Sequence, residues 1–488
     1  MRGATLNSAQ WIANKALTAI AMLVVAHYLT PAEYGVGAQA LAIFSFLALL
    51  PPLSVGDVLI AHPKNFGRLA ASAARLATVL AMCSMVLTLA SIPVVVLWFT
   101  DDPSRWLAGL LAILAIRPIL EARLMLPIAF LRLSLAYPRI ATIDGLVQMG
   151  ATCLSVAMAA LGGRAASLVV PQVIGTGVRA AIYVRQSRIR LESPVRATRV
   201  RYLFRQFVRA SGAQYIHNVL VMLEVLVLGL VAGQYQTGLF GLAFTIACQA
   251  NSIIAYQLGV VLQPVFSRLQ NDVNRQVTGF LKAQRVLSAV CIPICCAQAI
   301  LAEPLFRLLL AEKWQPAIPI FQIISLSQAF YFASGPAMAC LRGQRRFGTL
   351  LVWQSIQFVV SVPIYWFGAS EGAAVGVAIA SGIVWACSTI LVVWMCTTPS
   401  PSRRAWDSIA IFLNPLLVCV PLFAATLFVT RWAGGFGTLG DVASILVMGP
   451  VAILTAIFVI RFTHKEIRVT LDGLVRQAIN RVCRTRGT

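Results

Sequence analysis

Acidic residues are scarce in this chain: 16 Asp and Glu stand against 39 Lys and Arg in 488 residues. Charge of either sign is thin, at 11% of residues, while 59% are hydrophobic and the mean hydropathy is +0.83. A soluble domain of this length could not cover itself with so little polar surface, so soluble folds are excluded. Histidine is rarer still. The four, His27, His62, His217 and His464, lie far apart, and neither CxxC nor HExxH occurs, which leaves no ligand set for a metal. No cofactor is expected. Runs of alternating polar and apolar residues are lacking too, which excludes a membrane barrel. Only Arg2 precedes the first apolar stretch, which is too long for a signal segment and has no small-residue cleavage site, so the N-terminus is expected to stay uncleaved. Most of the 11 cysteines, Cys291, Cys295 and Cys296 among them, fall within apolar stretches and read as small buried hydrophobes.

What is present is about fourteen apolar stretches between Leu6 and Ile460, nearly all long enough to cross a bilayer core of ~30 Å as helices, the only open-ended structure that satisfies its own backbone in lipid. The spans are expected near residues 6–29, 36–61, 69–99, 106–131, 138–161, 165–184, 207–232, 237–262, 283–303, 318–341, 348–367, 372–396, 409–430 and 441–460. The connectors alternate in basic residues, about 29 on one side against about five on the other. The richest runs from Arg185 to Arg209, with eight arginines and only Glu192 against them. Both termini are therefore expected in the cytoplasm, which requires an even number of helices. The net charge of +23 then reflects loops facing anionic membrane lipid, and no nucleic-acid partner is expected.

An internal repeat organises the chain. Ser8-Ala9-Gln10-Trp11-Ile12-Ala13-Asn14 aligns with Gly212-Ala213-Gln214-Tyr215-Ile216-His217-Asn218, identical at four of seven positions, and a shift of one residue then brings Gly35 onto Gly238 and Gly56 onto Gly259. Both copies start on the cytoplasmic side, so the repeats are parallel and related by a pseudo-twofold along the membrane normal. The expected fold is an all-α polytopic membrane protein: a lobe of six helices over 1–184, a basic linker over 185–206, a second six-helix lobe over 207–396, two further helices within 397–460 and a basic tail over 461–488. Such repeats hold substrate between the lobes and alternate its access.

Polar groups inside the spans are the candidate site. Asn7, Gln10 and Asn14 share a face of the first helix; Gln214, His217 and Glu224 do so on the seventh. Interhelical hydrogen bonds of about 0.6–2 kcal/mol explain such stripes as well as ligand contact does. Lys15 is about 13 Å along its helix, and Arg117 is near the middle of the fourth, with Glu121 four residues on and Arg123 nearby. Each charge at this depth costs about 2.5–3.5 kcal/mol on insertion scales, so these must line water or pair with one another. Arg75, Arg179, Asp57 and Asp144 lie nearer helix ends, where snorkelling accounts for them. Excess cation suits an anionic ligand. The expected substrate-binding residues are Lys15, Arg117, Arg123, Gln10, Asn14, Gln214 and Asn218. Glu224, a carboxylate that desolvation would leave exchanging a proton, His217 and Asp57 are the expected gating or proton-coupling groups.

Several motifs in order along the chain carry a resemblance: Ser8-Ala9-Gln10-Trp11, Leu29-Thr30-Pro31-Ala32-Glu33-Tyr34-Gly35, Gly56-Asp57-Val58-Leu59-Ile60, Pro264-Val265-Phe266-Ser267-Arg268-Leu269-Gln270-Asn271-Asp272, and Glu312-Lys313-Trp314-Gln315-Pro316-Ala317. They resemble the polysaccharide transporter (Wzx-type) family of the multidrug, oligosaccharidyl-lipid and polysaccharide exporter superfamily, with Ala311 where the pattern has Gly and His62 where it has Gln. The resemblance implies a bacterial inner-membrane flippase, not an enzyme. It would carry undecaprenyl-pyrophosphate-linked oligosaccharide to the periplasmic leaflet for exopolysaccharide, capsule or O-antigen synthesis by alternating access, its pyrophosphate meeting cavity cations. Coupling to a proton or sodium gradient and partnership with a polysaccharide polymerase and chain-length regulator would follow. Two relatives of that fold compete, a drug or cation exporter and a peptidoglycan-precursor flippase. The buried cations Lys15 and Arg117 argue against the first. A membrane glycosyltransferase or polymerase would need a sizeable periplasmic catalytic loop, whereas the connectors on that side are only about 4–15 residues long and Asp101-Asp102-Pro103-Ser104 reads as a turn.

Overall fold

The computed structural model describes residues 17–48, 54–60, 65–98, 103–134, 136–187, 194–269, 272–344, 346–398, 409–420 and scattered positions between 424 and 458. All regular structure among the described residues is helical: α1 (Leu17–Tyr28), α2 (Pro31–Leu47), α3 (Ser54–Ile60), α4 (Phe66–Trp98), α5 (Pro103–Leu114), α6 (Arg117–Leu133), α7 (Tyr137–Ala160), α8 (Ala166–Gln186), α9 (Ala197–Val231), α10 (Gly233–Arg268), α11 (Val273–Ile300), α12 (Ala302–Leu309), α13 (Ile318–Gly343), α14 (Phe347–Thr397) and α15 (Ile409–Val420). A 3-10 turn covers Glu312–Ala317. Seven of the described helical stretches are long and apolar enough to cross a membrane. This is an all-α polytopic membrane protein, and its helices fit about fourteen spans.

The caps follow from local chemistry. Thr30 accepts from the Glu33 backbone at 3.3 Å while Glu33 Oε2 accepts from the Thr30 backbone at 2.9 Å, a reciprocal cap, with Pro31 preset for the first helical turn. Asp272 caps α11 by accepting from the Arg275 backbone at 3.0 Å. In Glu312–Ala317 the Trp314 ring is fully buried, and Phe306 packs on Phe321 at 5.3 Å between ring centres. Three of the motifs that carried the resemblance are thus structural fittings at helix ends.

Several expected boundaries differ. The span expected over 106–131 is two helices, α5 and α6, parted at Ala115–Ile116. Pro118 is the cause: it has no N–H for the Leu114 carbonyl and its ring crowds the preceding turn. The spans expected over 348–367 and 372–396 are continuous in hydrogen bonding but kinked at Ala373, whose φ of 46° and ψ of −131° are not helical. The basic run expected as a connector is helical from Ala197. Its Leu203 and Phe207 are buried against Val55, Leu59, Leu69, Leu76 and Met125 of α3, α4 and α6, and Arg199 Nη1 donates to the Arg68 carbonyl at 2.9 Å. The apolar face of that segment has enough to bury, so the arginines ride on a packed helix.

The chain forms two compact units, Met1–Leu242 with Phe347–Val377 and Ala243–Arg346 with Ala378–Thr488. In the first unit, α2, α5 and α8 share a core of Val36, Ile43, Phe44, Leu107, Leu111, Leu114 and Val169. In the second, α11, α13 and α15 bring together Ala289, Ile292, Cys295, Ala329 and Cys419.

Within the first unit, α2 and α10 meet at two glycines that the repeat alignment pairs. A Cβ placed on Gly35 would lie 1.9 Å from the Gln234 carbonyl oxygen, and one on Gly238 would lie 1.7 Å from the Pro31 carbonyl oxygen. Each glycine thus touches the carbonyl four residues before the other, the reciprocity that a twofold axis between them produces. One turn on, a Cβ on Gly241 would sit 3.4 Å from that of Ala38, again a pair related by the same offset. Matching turns recur elsewhere. Between α6 and α7, Ala136 donates back to the Leu131 carbonyl at 2.9 Å; between α13 and α14, Arg346 donates back to Leu341 at 3.0 Å.

Candidate functional site

Polar and charged side chains of the first unit gather on one face of α8. Gln172, Thr176, Arg179 and Tyr183 follow at spacings of four, three and four, which keeps them within a sector of about 60° at ~100° per residue. The exposed apolar residues of the same helix, Ile174, Val178 and Val184, lie on the opposite side of the cylinder. That opposite side suits lipid. The one charge of the stripe, Arg179, is turned away from that side, as the cost of charge facing hydrocarbon requires.

Two clusters share the stripe. In the first, Arg117 Nε lies 3.0 Å from Glu121 Oε1, its Nη1 donates to Gln172 Oε1 at 3.3 Å, and its guanidinium carbon sits 5.7 Å from the centre of the Phe44 ring. The α5–α6 break places Arg117 at the head of α6, at mid-span. In the second, Arg179 Nη2 donates to Asp144 Oδ2 at 2.8 Å while Nε lies 2.7 Å from Oδ1. The fully buried Tyr183 donates its hydroxyl to Asp144 Oδ1 at 3.0 Å and reaches the Ile140 carbonyl at 3.3 Å. Arg179 and Asp144 were expected to snorkel. They pair instead, since each finds its counter-charge on the neighbouring helix at the same depth. Neither Tyr183 nor Gln172 stood out in the sequence, although their i, i+4, i+7, i+11 register with Arg179 was readable.

The other candidate residues are distributed as follows. Arg123 is exposed on α6 but lies about 120° around the helix from Arg117, so it does not join that cluster. On α9, Gln214 Nε2 donates to Asn218 Oδ1 at 3.1 Å and both are exposed, while His217 is half-buried. Glu224 does not share their surroundings: it is 1% exposed, and the buried Tyr365 of α14 donates to its Oε1 at 3.3 Å. The Asp57 backbone belongs to α3, but its side chain lies outside the described residues. So do Asn7, Gln10, Asn14 and Lys15 altogether. Among the described residues no group of three His, Cys, Asp or Glu side chains is placed to hold a metal.

Comparison with known proteins agrees with this architecture. An uncharacterized membrane protein in the cps region of Klebsiella pneumoniae is 22% identical over 487 residues, covering 97% of this chain and 98% of the relative. The lipopolysaccharide biosynthesis protein WzxC of Escherichia coli K12 is 22% identical over 177 residues, 36% of each chain. Among solved structures, the lipid II flippase MurJ in its inward closed conformation superposes with a TM-score of 0.69 at 14% identity, over 94% of this chain and 99% of that one; likeness at this identity speaks for the fold. Residues 24–319, more than half of the chain, match the family described as "Polysaccharide biosynthesis protein", and the protein belongs to that family of membrane proteins.

Proposed function

We propose that this protein is a flippase that carries an undecaprenyl-pyrophosphate-linked oligosaccharide from the cytoplasmic to the periplasmic leaflet of a bacterial inner membrane. The observation that carries the reading is the pair of partly exposed arginines at the polar face of α8: Arg179 on that face, and Arg117 of α6 bonded to its Gln172. Guanidinium groups there fit the bidentate geometry of phosphate, and an interior that excludes bulk water strengthens the contact. A hydrolytic or glycosyl-transfer site has no support in this arrangement, since the stripe's carboxylates, Glu121 and Asp144, are both taken up by arginine.

The reading continues to alternating access by two lobes, 1–184 and 207–396. The reciprocal crossing of Gly35 and Gly238 and the matching turns at Leu131–Ala136 and Leu341–Arg346 support that symmetry. Lys15 joins Arg117 in holding pyrophosphate, Glu224 couples transport to a proton or sodium gradient, and both termini are cytoplasmic. A polymerase and a chain-length regulator receive the product. The test is a deletion strain. It is expected to lose a surface polysaccharide and accumulate complete lipid-linked repeat units on the cytoplasmic side. Incomplete sugars there would point to a glycosyltransferase, and unpolymerised units in the periplasm to a polymerase. Arrest of cell-wall growth would identify a peptidoglycan-precursor flippase instead.

A further inference from the structure

We propose that Arg179 is a second phosphate-binding position, occupied transiently by the translocating anion before Arg117. Asp144 is the carboxylate the anion displaces, and Tyr183 is the hydroxyl that holds that carboxylate while the guanidinium is engaged elsewhere. The inference rests on the reading of the protein as a flippase for a pyrophosphate-linked lipid, and it adds residues and an order of events to that reading.

Position comes first. Arg179 is seven residues from Gln172, which contacts Arg117; two helical turns separate them by ~10 Å along nearly the same line. Arg117 and Arg179 therefore stand at two levels along the polar face of α8, as successive positions require. Arg179 is the one nearer Gln186 and the basic run that follows it, the end from which an anion attracted by those arginines arrives.

Availability comes second. The Arg179 side chain is 31% exposed and that of Asp144 32%. A guanidinium has five N–H donors in a planar fork, and a carboxylate on one edge leaves donors for a second oxyanion on another. One carboxylate occupies only part of that fork, so a pyrophosphate, with a charge on each of its two phosphates, can compete for the cation.

The third element is Tyr183. An aspartate stripped of its arginine inside the span would be strongly destabilised. Here it keeps the hydrogen bond from the hydroxyl of Tyr183, a fully buried side chain. Asp144 can therefore release Arg179 without being left bare, and it recaptures the guanidinium once the anion moves on. Arg117 likewise pairs with a carboxylate, Glu121, while its Nη1 donates to the neutral Gln172. A cation with a competing carboxylate thus recurs at two levels, as a hand-over requires.

The test uses the full chain in lipid nanodiscs, with inorganic pyrophosphate as the calorimetric probe and flipping measured in proteoliposomes. Arg179→Ala is expected to weaken pyrophosphate binding roughly tenfold or more, and Arg179→Lys to weaken it less. Asp144→Asn, which keeps an acceptor for Tyr183 but removes the competing charge, is expected to bind roughly two- to fivefold tighter while flipping more slowly, because the anion is released late. Tyr183→Phe is expected to slow flipping with little change in melting temperature. If Asp144→Asn and Arg179→Ala lower thermal stability alike and leave pyrophosphate affinity unchanged while Arg117→Ala abolishes it, the pair is structural. The inference then falls and the flippase reading stands. Failure of the wild-type chain to bind pyrophosphate overturns the inference outright, and an unchanged deletion strain would remove the reading beneath it.

Discussion

The crossing of α2 and α10 can be broken by a single methyl group. Alanine at position 35 would put its Cβ 1.9 Å from the Gln234 carbonyl oxygen, and alanine at 238 would put its Cβ 1.7 Å from the Pro31 oxygen. Real Cβ atoms essentially never come closer than 3.0 Å to a neighbour, so the deficits are about 1.1 and 1.3 Å. The obstructing atoms are backbone, which cannot swing aside as a side chain would, so the helices themselves must separate. A gap of 0.5–1 Å already forfeits about a quarter to a half of each dispersion contact across it. Overpacking of this kind costs about 1–3 kcal/mol. The expected result is that Gly35→Ala and Gly238→Ala each lower the melting temperature by several degrees, read by heating the purified protein and measuring the surviving monodisperse fraction by size exclusion. Because both clashes act across one crossing, the separation forced by the first relieves the second, and the double variant should lose clearly less than the sum of the singles. Single variants that melt like wild type, or a double variant that is strictly additive, would refute the reciprocal contact.

Pro118→Ala restores the missing N–H at the α5–α6 break; it is expected to leave the protein at least as stable while reducing export, because a straightened helix carries Arg117 away from Gln172, and export at the wild-type level would show that the break is incidental. Tyr365→Phe removes a donor from a buried carboxylate and is expected to cost about 1.5–3 kcal/mol, whereas Glu224→Gln, which keeps an acceptor for that hydroxyl, is expected to fold normally and lose gradient dependence of export. Gradient dependence retained in Glu224→Gln would exclude Glu224 as the coupling group. Reporter fusions at Gly163 and Ala197 are expected to read periplasmic and cytoplasmic respectively, and periplasmic activity at Ala197 would overturn the assigned orientation.

The membrane class, the all-helical spans and the helix caps were legible in the amino-acid sequence, because each depends on residues a few positions apart. Lipid demands a continuous apolar run, a reciprocal cap needs Thr30 and Glu33 three residues apart, and Pro118 interrupts a helix whatever surrounds it. The break at Ala115–Ile116 follows from that proline, although hydropathy alone runs through it as one continuous span. Candidate site residues were legible only as types. Periodicity grouped Gln214, His217 and Glu224 on one stripe, yet the two amides Gln214 and Asn218 are exposed while Glu224 is buried against Tyr365, 141 residues away. Composition flagged Arg179 and Asp144 as charges near helix ends; that they meet at 2.7 Å, with Tyr183 on the same carboxylate, depends on the packing of α7 on α8. The repeat offset paired Gly35 with Gly238 by arithmetic, but only the fold put each against the other's carbonyl. Local sequence determines which groups are present, at what depth and with what period. Which of them touch is decided by helix crossings, where one missing Cβ or one matched pair of charges across tens of residues selects among many alignments that the same apolar faces would otherwise allow.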